Sequence, residues 1–147
     1  MDMMALLKSK NNTEAYQLLL LLERESARGD GLYGSLDDFL TLLQDKSSLV
    51  RTRGFRLICA QARWDREGWI GEHLEDILSM LNDGKATAVR QCLAALQQVV
   101  RFLPELGPRI QEKLDGMDLT KQRESMGPLL QKDIAELQAL IEGGEKP

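Results

Sequence analysis

Ten consecutive positions of this chain occur twice. The segment Leu36-Asp37-Asp38-Phe39-Leu40-Thr41-Leu42-Leu43-Gln44-Asp45 aligns without gaps onto Leu74-Glu75-Asp76-Ile77-Leu78-Ser79-Met80-Leu81-Asn82-Asp83, with chemical character kept at every step. After a turn one residue longer in the second copy, Val50-Arg51 matches Val89-Arg90 and Leu57 matches Leu96. The spacing is 38 residues before the turn and 39 after it. A period between about 20 and 50 residues marks stacked structural units, each with an apolar flank that only a neighbour can cover.

Each copy carries apolar residues at helical intervals in both halves, as in Leu36, Phe39, Leu40 and Leu43, then Val50, Leu57 and Ile58. This periodicity predicts two amphipathic helices per unit, with Ser48 as N-cap of the second helix in the first copy. Weaker copies flank the pair. Leu6-Leu7 followed by Ser9 to Asn12 and a helix from Thr13 to about Ala27 reads as a unit with a shortened first helix. At the other end Pro108 opens a helix through Ile110 and Leu114, Asp115-Gly116 ends it, Asp118 caps the next, and Gly127-Pro128 precedes a last helix from Leu129 to Ile141. The expected organisation is one domain over 1–147, with units near 1–28, 35–66, 72–102 and 108–141 and a frayed tail at 142–147. Composition agrees. Aromatic residues are only 5% of the chain and Leu dominates the apolar set, which suits helical faces better than strands.

A hairpin of about 40 residues, with an Asp closing its first helix and Val-Arg opening its second, resembles the HEAT repeat of α-solenoid proteins. The residues that carry the resemblance are Asp45 with Val50-Arg51 and Asp83 with Val89-Arg90; as a whole the chain also resembles small bacterial HEAT-repeat proteins. The resemblance implies an all-α fold, a short right-handed α-solenoid of HEAT-like hairpins with about seven or eight helices. It further implies a ladder of polar contacts between adjacent repeats, built from Asp45, Arg51, Asp83 and Arg90.

Such a motif carries no chemistry of its own, so function must be sought in side chains outside it. Between Lys46 and Arg66 lie Lys46, Arg51, Arg53, Arg56, Arg63 and Arg66 against a single acid, Asp65, in a chain of net charge −4. Arg56 and Arg63, seven residues apart, share a helical face with Arg53 close by, a set suited to phosphate or carboxylate oxygens. The plainer reading is an exposed helix paired with Asp37, Asp38, Glu72, Glu75 and Asp76. Trp64-Asp65-Arg66-Glu67 with Trp69 holds both tryptophans. The grouping is superficially similar to the concave surface of HEAT-like DNA glycosylases, although this chain is acidic and lacks a second basic strip. Its plainer reading is a seal between hairpins. His73, the only histidine, is expected to open the helix near Leu74 as a solvated or capping residue. Leu18 to Leu22 covers every side of a helix, which predicts burial on several sides; the other reading is a docking site for a partner helix, joined by Met1, Met3 and Met4.

Several classes drop out. No nucleophile-elbow, phosphate-loop or zinc-protease pattern occurs, so no catalytic residue is assigned. Cys59 and Cys92, each inside an apolar helical pattern, read as buried thiols of a reducing compartment. They supply neither the ligands of a metal site nor those of an iron–sulfur cluster, so no metal and no cofactor are expected. No secretory signal and no membrane-length apolar run is present, which makes cytoplasmic residence the default and a membrane partner unexpected. The reading that remains is a protein-binding scaffold or adaptor, in which Arg53, Arg56 and Arg63, with Trp64 or Trp69 at the rim, contact a protein partner with an acidic surface. The alternative is nucleic-acid binding or glycosylase-type chemistry through the same helix, although the acidic balance disfavours nucleic acid. Oligomeric state is not legible from these features.

Overall fold

Short polar side chains set where the helices begin. Asp2 Oδ1 accepts the Met4 amide at 3.0 Å and Asn11 Oδ1 the Glu14 amide at 3.2 Å, so α1 (Met3–Leu7) and α2 (Asn12–Arg28) each start on a side-chain cap. The chain then folds α3 (Leu36–Leu42), α4 (Ser48–Ala60), α5 (Trp69–Glu72), α6 (Leu74–Leu78), α7 (Ala86–Phe102), α8 (Gly107–Asp115) and α9 (Gly127–Glu145). Short 3-10 turns at Tyr33–Ser35, Ala62–Trp64, Ser79–Asn82 and Pro104–Leu106 link them. This computed structural model describes residues 2–120 and 125–145; among them there is no strand, and no helix is long and apolar enough to cross a membrane.

The helices lie in two rows. In one, α2 packs on α4, α4 on α7 and α7 on α9. These four run in the same direction: Arg53 meets Asn12 and Arg63 meets Ala27 along α2 and α4, Arg56 meets Gln91 and Arg63 meets Phe102 along α4 and α7, and Arg90 meets Asp133 along α7 and α9, with Gly144 against Pro104 just past the end of α7. In the other row, α1, α3 and α8 pair with α2, α4 and α9, and the turn after α6 packs on α7. The core between the rows holds Leu19, Phe39, Phe55, Leu57, Ile58, Leu74, Ile77, Leu96 and Ile110, all essentially inaccessible. Each such side chain contributes about 1.5 to 3 kcal/mol on burial.

Hydrogen bonds repeat at the interval of the sequence duplication. Thr41 Oγ1 donates to Asp38 O at 2.6 Å, and Ser79 Oγ donates to Asp76 O at the same distance. Asp45 Oδ1 accepts the Ser47 amide at 2.9 Å, and Asp83 Oδ1 accepts the Lys85 amide at 2.9 Å. Arg51 reaches forward to the next hairpin, with Nε and Nη2 donating to Asp83 Oδ2 at 3.1 and 2.6 Å, while its Nη1 donates to Asp45 O and Lys46 O. Arg90 likewise reaches Asp133 of α9, with Nε at 2.7 Å. Of the four ladder residues, Arg51, Asp83 and Arg90 thus make ion pairs across neighbouring hairpins. The Asp45 carboxylate instead closes its own turn.

Several local expectations shift. The cap of α4 is Ser47, whose Oγ accepts the Val50 amide at 3.4 Å, because Asp45 pins the Ser47 amide and Ser48 already lies inside the helix. The first helix of the second copy is broken: His73 sits between α5 and α6 with a non-helical backbone, which raises the helix count above that expected. Leu18 to Leu22 is not buried all round, since only Leu19 and Leu22 enter the core while Leu20 and Leu21 are exposed; α2 ends the row and has a neighbour on one flank only. Gly127-Pro128 opens α9 instead of interrupting the chain before it, as fits proline in a first helical turn. The same helix continues to Glu145 through most of the expected tail. The helix expected after Asp118 falls on residues 121–124, outside the described residues; Asp118 Oδ1 accepts the Thr120 amide at 2.9 Å.

Two variants test this packing. A Cβ on Gly54 of α4 meets Leu42 Cβ at 2.6 Å and Phe39 O at 2.9 Å, so α3 and α4 touch backbone to backbone. Gly54→Ala is expected to lower stability by about 2 kcal/mol in urea unfolding, overpacking outweighing the gain in helix propensity. Gly34→Ala, with nothing within 4 Å, serves as the neutral comparison. Arg51→Met leaves Asp83, whose side chain is 3% exposed, without its cation, and is expected to cost about 3 kcal/mol by the same measurement.

Candidate partner-binding face

The three arginines expected on one surface go three ways, because α4 is buried on most of its circumference. Arg53 is 5% exposed. Its Nη1 donates to Leu7 O at 2.8 Å and Ser9 O at 3.3 Å, and its Nη2 to Asn12 Oδ1 at 3.0 Å. It therefore satisfies the carbonyls that end α1 and ties the α1–α2 turn to α4. Burial lowers its pKa from the ordinary value, and its donors are taken up by the α1–α2 turn although the side chain borders the groove between α2 and α4.

Arg56 is half-committed. Nε and Nη2 hold the two Glu23 oxygens at 3.0 and 2.7 Å, Nη1 donates to Gln91 Oε1 at 3.1 Å, and the guanidinium lies 5.8 Å from the centre of the Tyr16 ring. Burial opposes its charge, but the Glu23 carboxylate outweighs that effect and holds the pKa above its ordinary value. This side chain joins α2, α4 and α7. Arg63 lies in the 3-10 turn after α4 and is exposed. One of its nitrogens donates to Ala27 O at 2.9 Å, and its guanidinium stacks 4.7 Å above the ring of Phe102. A fork of five donors keeps further N–H groups available to solvent or a ligand.

The tryptophans and Asp65 act mainly inside the fold. Trp64 Nε1 donates to Ser26 O at 2.7 Å, and Trp69 Nε1 to Asp37 Oδ1 at 2.9 Å. Trp69 also stacks on His73 at 4.1 Å between ring centres, and His73 Nδ1 lies 2.8 Å from Trp69 O. Asp65, nearly buried, accepts the Tyr33 hydroxyl at 2.6 Å and the amides of Trp69 and Ile70 at 2.9 Å each. It thus caps α5, which Gly68 enters at φ 75, a left-handed conformation that suits glycine. Sequence reading missed Tyr33 and this role of Asp65. The signal was a carboxylate just upstream of a glycine and a helix start, as in an N-cap.

What stands exposed on the α2–α4–α7 side is a graded surface. At one end Tyr16 (51% exposed), Leu20 (36%) and Leu49 (46%) line a groove of about 550 Å³ with Thr13, Gln17 and Gln91. At the other end lie Arg24, Arg28, Arg63 and Arg101, all exposed, with Phe102 at 43%. Arg28 and Arg101 occupy the last turns of α2 and α7, where the carbonyl ends of the helix favour cations. Leu49 and Arg56, seven residues apart, share one face of α4, and Arg63 follows in the turn beyond it, against Ala27 and Phe102.

Cys59 and Cys92 are unbridged and buried, and burial pushes both thiols up from the ordinary cysteine range. Among the described residues no group of three or more His, Cys, Asp or Glu side chains converges as a metal site would. No family model, no curated protein and no solved structure matches the chain.

Tyr33 provides a pH test of the α5 anchor. Burial, then the hydrogen bond to Asp65, pushes the phenol from 10 up to about 12. The folded chain keeps this proton where the unfolded chain loses it, so the contribution is complete below pH 10 and is lost as pH rises towards 12. Stability measured across that window is expected to fall less steeply in Tyr33→Phe than in the parent.

Proposed function

We propose that this chain is a HEAT-like repeat protein, a short right-handed α-solenoid that works as a cytoplasmic scaffold or adaptor and binds a protein partner with an acidic surface. The binding face is the one shared by α2, α4 and α7. The single observation that carries the reading is the charge layout of that face, where exposed arginines gather at the parallel helix ends of a chain whose net charge is −4. The repeated hydrogen bonds at Asp45 and Asp83, and the Arg51–Asp83 and Arg90–Asp133 pairs between neighbouring hairpins, support the HEAT-like assignment. Buried, unbridged thiols suit a reducing compartment.

The residues proposed to meet the partner are Arg63 with Arg28 and Arg101, and Arg56 where its ion pair with Glu23 leaves it accessible. Trp64, bonded to the Ser26 carbonyl near the end of α2, stands beside them, whereas Trp69 is held by Asp37 of α3 and His73 and is left out of the contact. Arg53 lines the groove at the other end of this face, but its guanidinium is spent on the α1–α2 turn. Neither Asp65, with three donors already on its carboxylate, nor His73, stacked on Trp69, has the free geometry of a general base.

Affinity capture with the immobilised chain tests the proposal. A defined protein is expected to be retained by the parent and lost by Arg28→Glu/Arg63→Glu. Equal retention by both would remove this face from the function. A 20-base-pair DNA duplex retained at low ionic strength, with affinity falling steeply as salt rises, would favour the nucleic-acid alternative.

A further inference from the structure

We infer that the α2–α4–α7 face takes an acidic amphipathic helix, with its apolar residues in the Tyr16–Leu20–Leu49 groove and its carboxylates over the arginine end. This rests on the protein-binding reading and adds the chemistry and orientation of the ligand.

The face is neither uniformly apolar nor uniformly charged. Thr13, Gln17 and Leu20 line the groove, and Arg24 and Arg28 continue the same side of α2 one and two turns further on. On α4, Leu49 borders the groove, Arg56 stands midway and Arg63 ends the line. On α7, Gln91 lines the groove and Phe102 meets Arg63 at the far end. α2 and α4 therefore pass from apolar to cationic in the same direction, and α7 adds the Phe102 ring against Arg63 and Arg101 in its last turn. Glu23, the acid in the middle of this face, is already neutralised by Arg56 at 2.7 Å.

The arginine end has no carboxylate of its own in contact among the described residues. Among the described residues Arg24, Arg28, Arg63 and Arg101 make no ion pair, whereas Arg51, Arg56 and Arg90 all do. Arg63 touches the Ala27 carbonyl of α2 and the Phe102 ring of α7, and Arg28 and Arg101 stand in the last turns of those same two helices. Such a cluster attracts carboxylates and repels a basic ligand. Leu49 lies near the start of α4 and Arg63 just beyond its end, so an occupant helix of about 14 residues, about 21 Å long at helical rise, covers the line. An amphipathic helix laid in an apolar groove presents anchors at helical spacing, and its acids then fall beyond the groove.

The test is selection from a library of random peptides of about 16 residues displayed on phage, followed by fluorescence anisotropy with the enriched peptides. The expected winners are net negative, with apolar residues at intervals of three and four in one half and Asp or Glu concentrated in the other. Arg28→Glu/Arg101→Glu, which breaks no hydrogen bond or ion pair among the described residues, is expected to weaken them at least about tenfold, as is Leu20→Asp/Leu49→Asp. Circular dichroism keeps loss of fold apart from loss of binding, and the parent's affinity is expected to fall with added salt. The inference is overturned if nothing is enriched, if winners are neutral or basic, or if both variant pairs bind as the parent does. It is equally overturned if duplex DNA or phosphatidylserine vesicles bind the arginine end more tightly than the peptides. Face-dependent capture of a protein alongside any of these peptide results would leave the scaffold reading standing and sink only the acidic-helix ligand.

Discussion

The centre of this molecule is a helix with almost no free side. α4 touches α1, α2, α3 and α7, and Val50, Thr52, Arg53, Gly54, Phe55 and Leu57 to Ala60 are all buried. A helix so enclosed cannot leave its charged groups unmatched, because an unpaired cation in the interior costs several kcal/mol. Each arginine on it must therefore find acceptors in the helices around it, and each finds a different set. Arg51 takes Asp83, Arg53 takes the ends of α1, and Arg56 takes Glu23 and Gln91. The same enclosure explains Gly54, where α3 approaches too closely for a side chain.

The charge anomaly visible in the sequence is thus divided between architecture and surface. Arginines early in α4 and α7 bind neighbouring hairpins, whereas those at the helix ends remain open. Helix direction makes this division possible. Because α2, α4, α7 and α9 run parallel, their carbonyl ends share one edge of the molecule, and cations placed there by each helix separately accumulate. One chain segment alone would not create a basic patch; three parallel ends do. The groove at the opposite end lies between α2 and α4, where no further helix covers Tyr16, Leu20 and Leu49.

Much of the fold was legible in the residues. The duplication located both central hairpins, and the apolar spacing identified their core positions: Leu36, Phe39 and Leu43, with their counterparts Leu74, Ile77 and Leu81, are all buried. Buried cysteines, the α8 boundaries around Pro108 and Asp115, and the shortened α1 were likewise accessible to local reasoning. The candidate site was legible in composition and illegible in disposition. Arg53, Arg56 and Arg63 were identifiable as an unusual cluster, but helical geometry places three and seven residues apart on neighbouring faces without saying which face is covered. Tyr33 and Asp65, 32 residues apart, meet only after two hairpins have packed.

Sequence by itself determined the helical class, the repeat interval and the apolar stripes, because these follow from periodicity and local backbone preference. The starts of α2 and α4 lie within one residue of where the pattern put them, at the caps Asn11 and Ser47 rather than at Ser48 for the second, since caps act over three or four residues. Tertiary structure alone decided which arginines are structural and which are exposed, that the Asp45 carboxylate closes a turn while Asp83 joins two hairpins, and that Leu20 faces solvent. Those outcomes depend on which neighbour a helix has and on how its axis is directed. Neither is encoded in the spacing of residues along one helix; both are fixed by the requirement that every hairpin bury its flank against another.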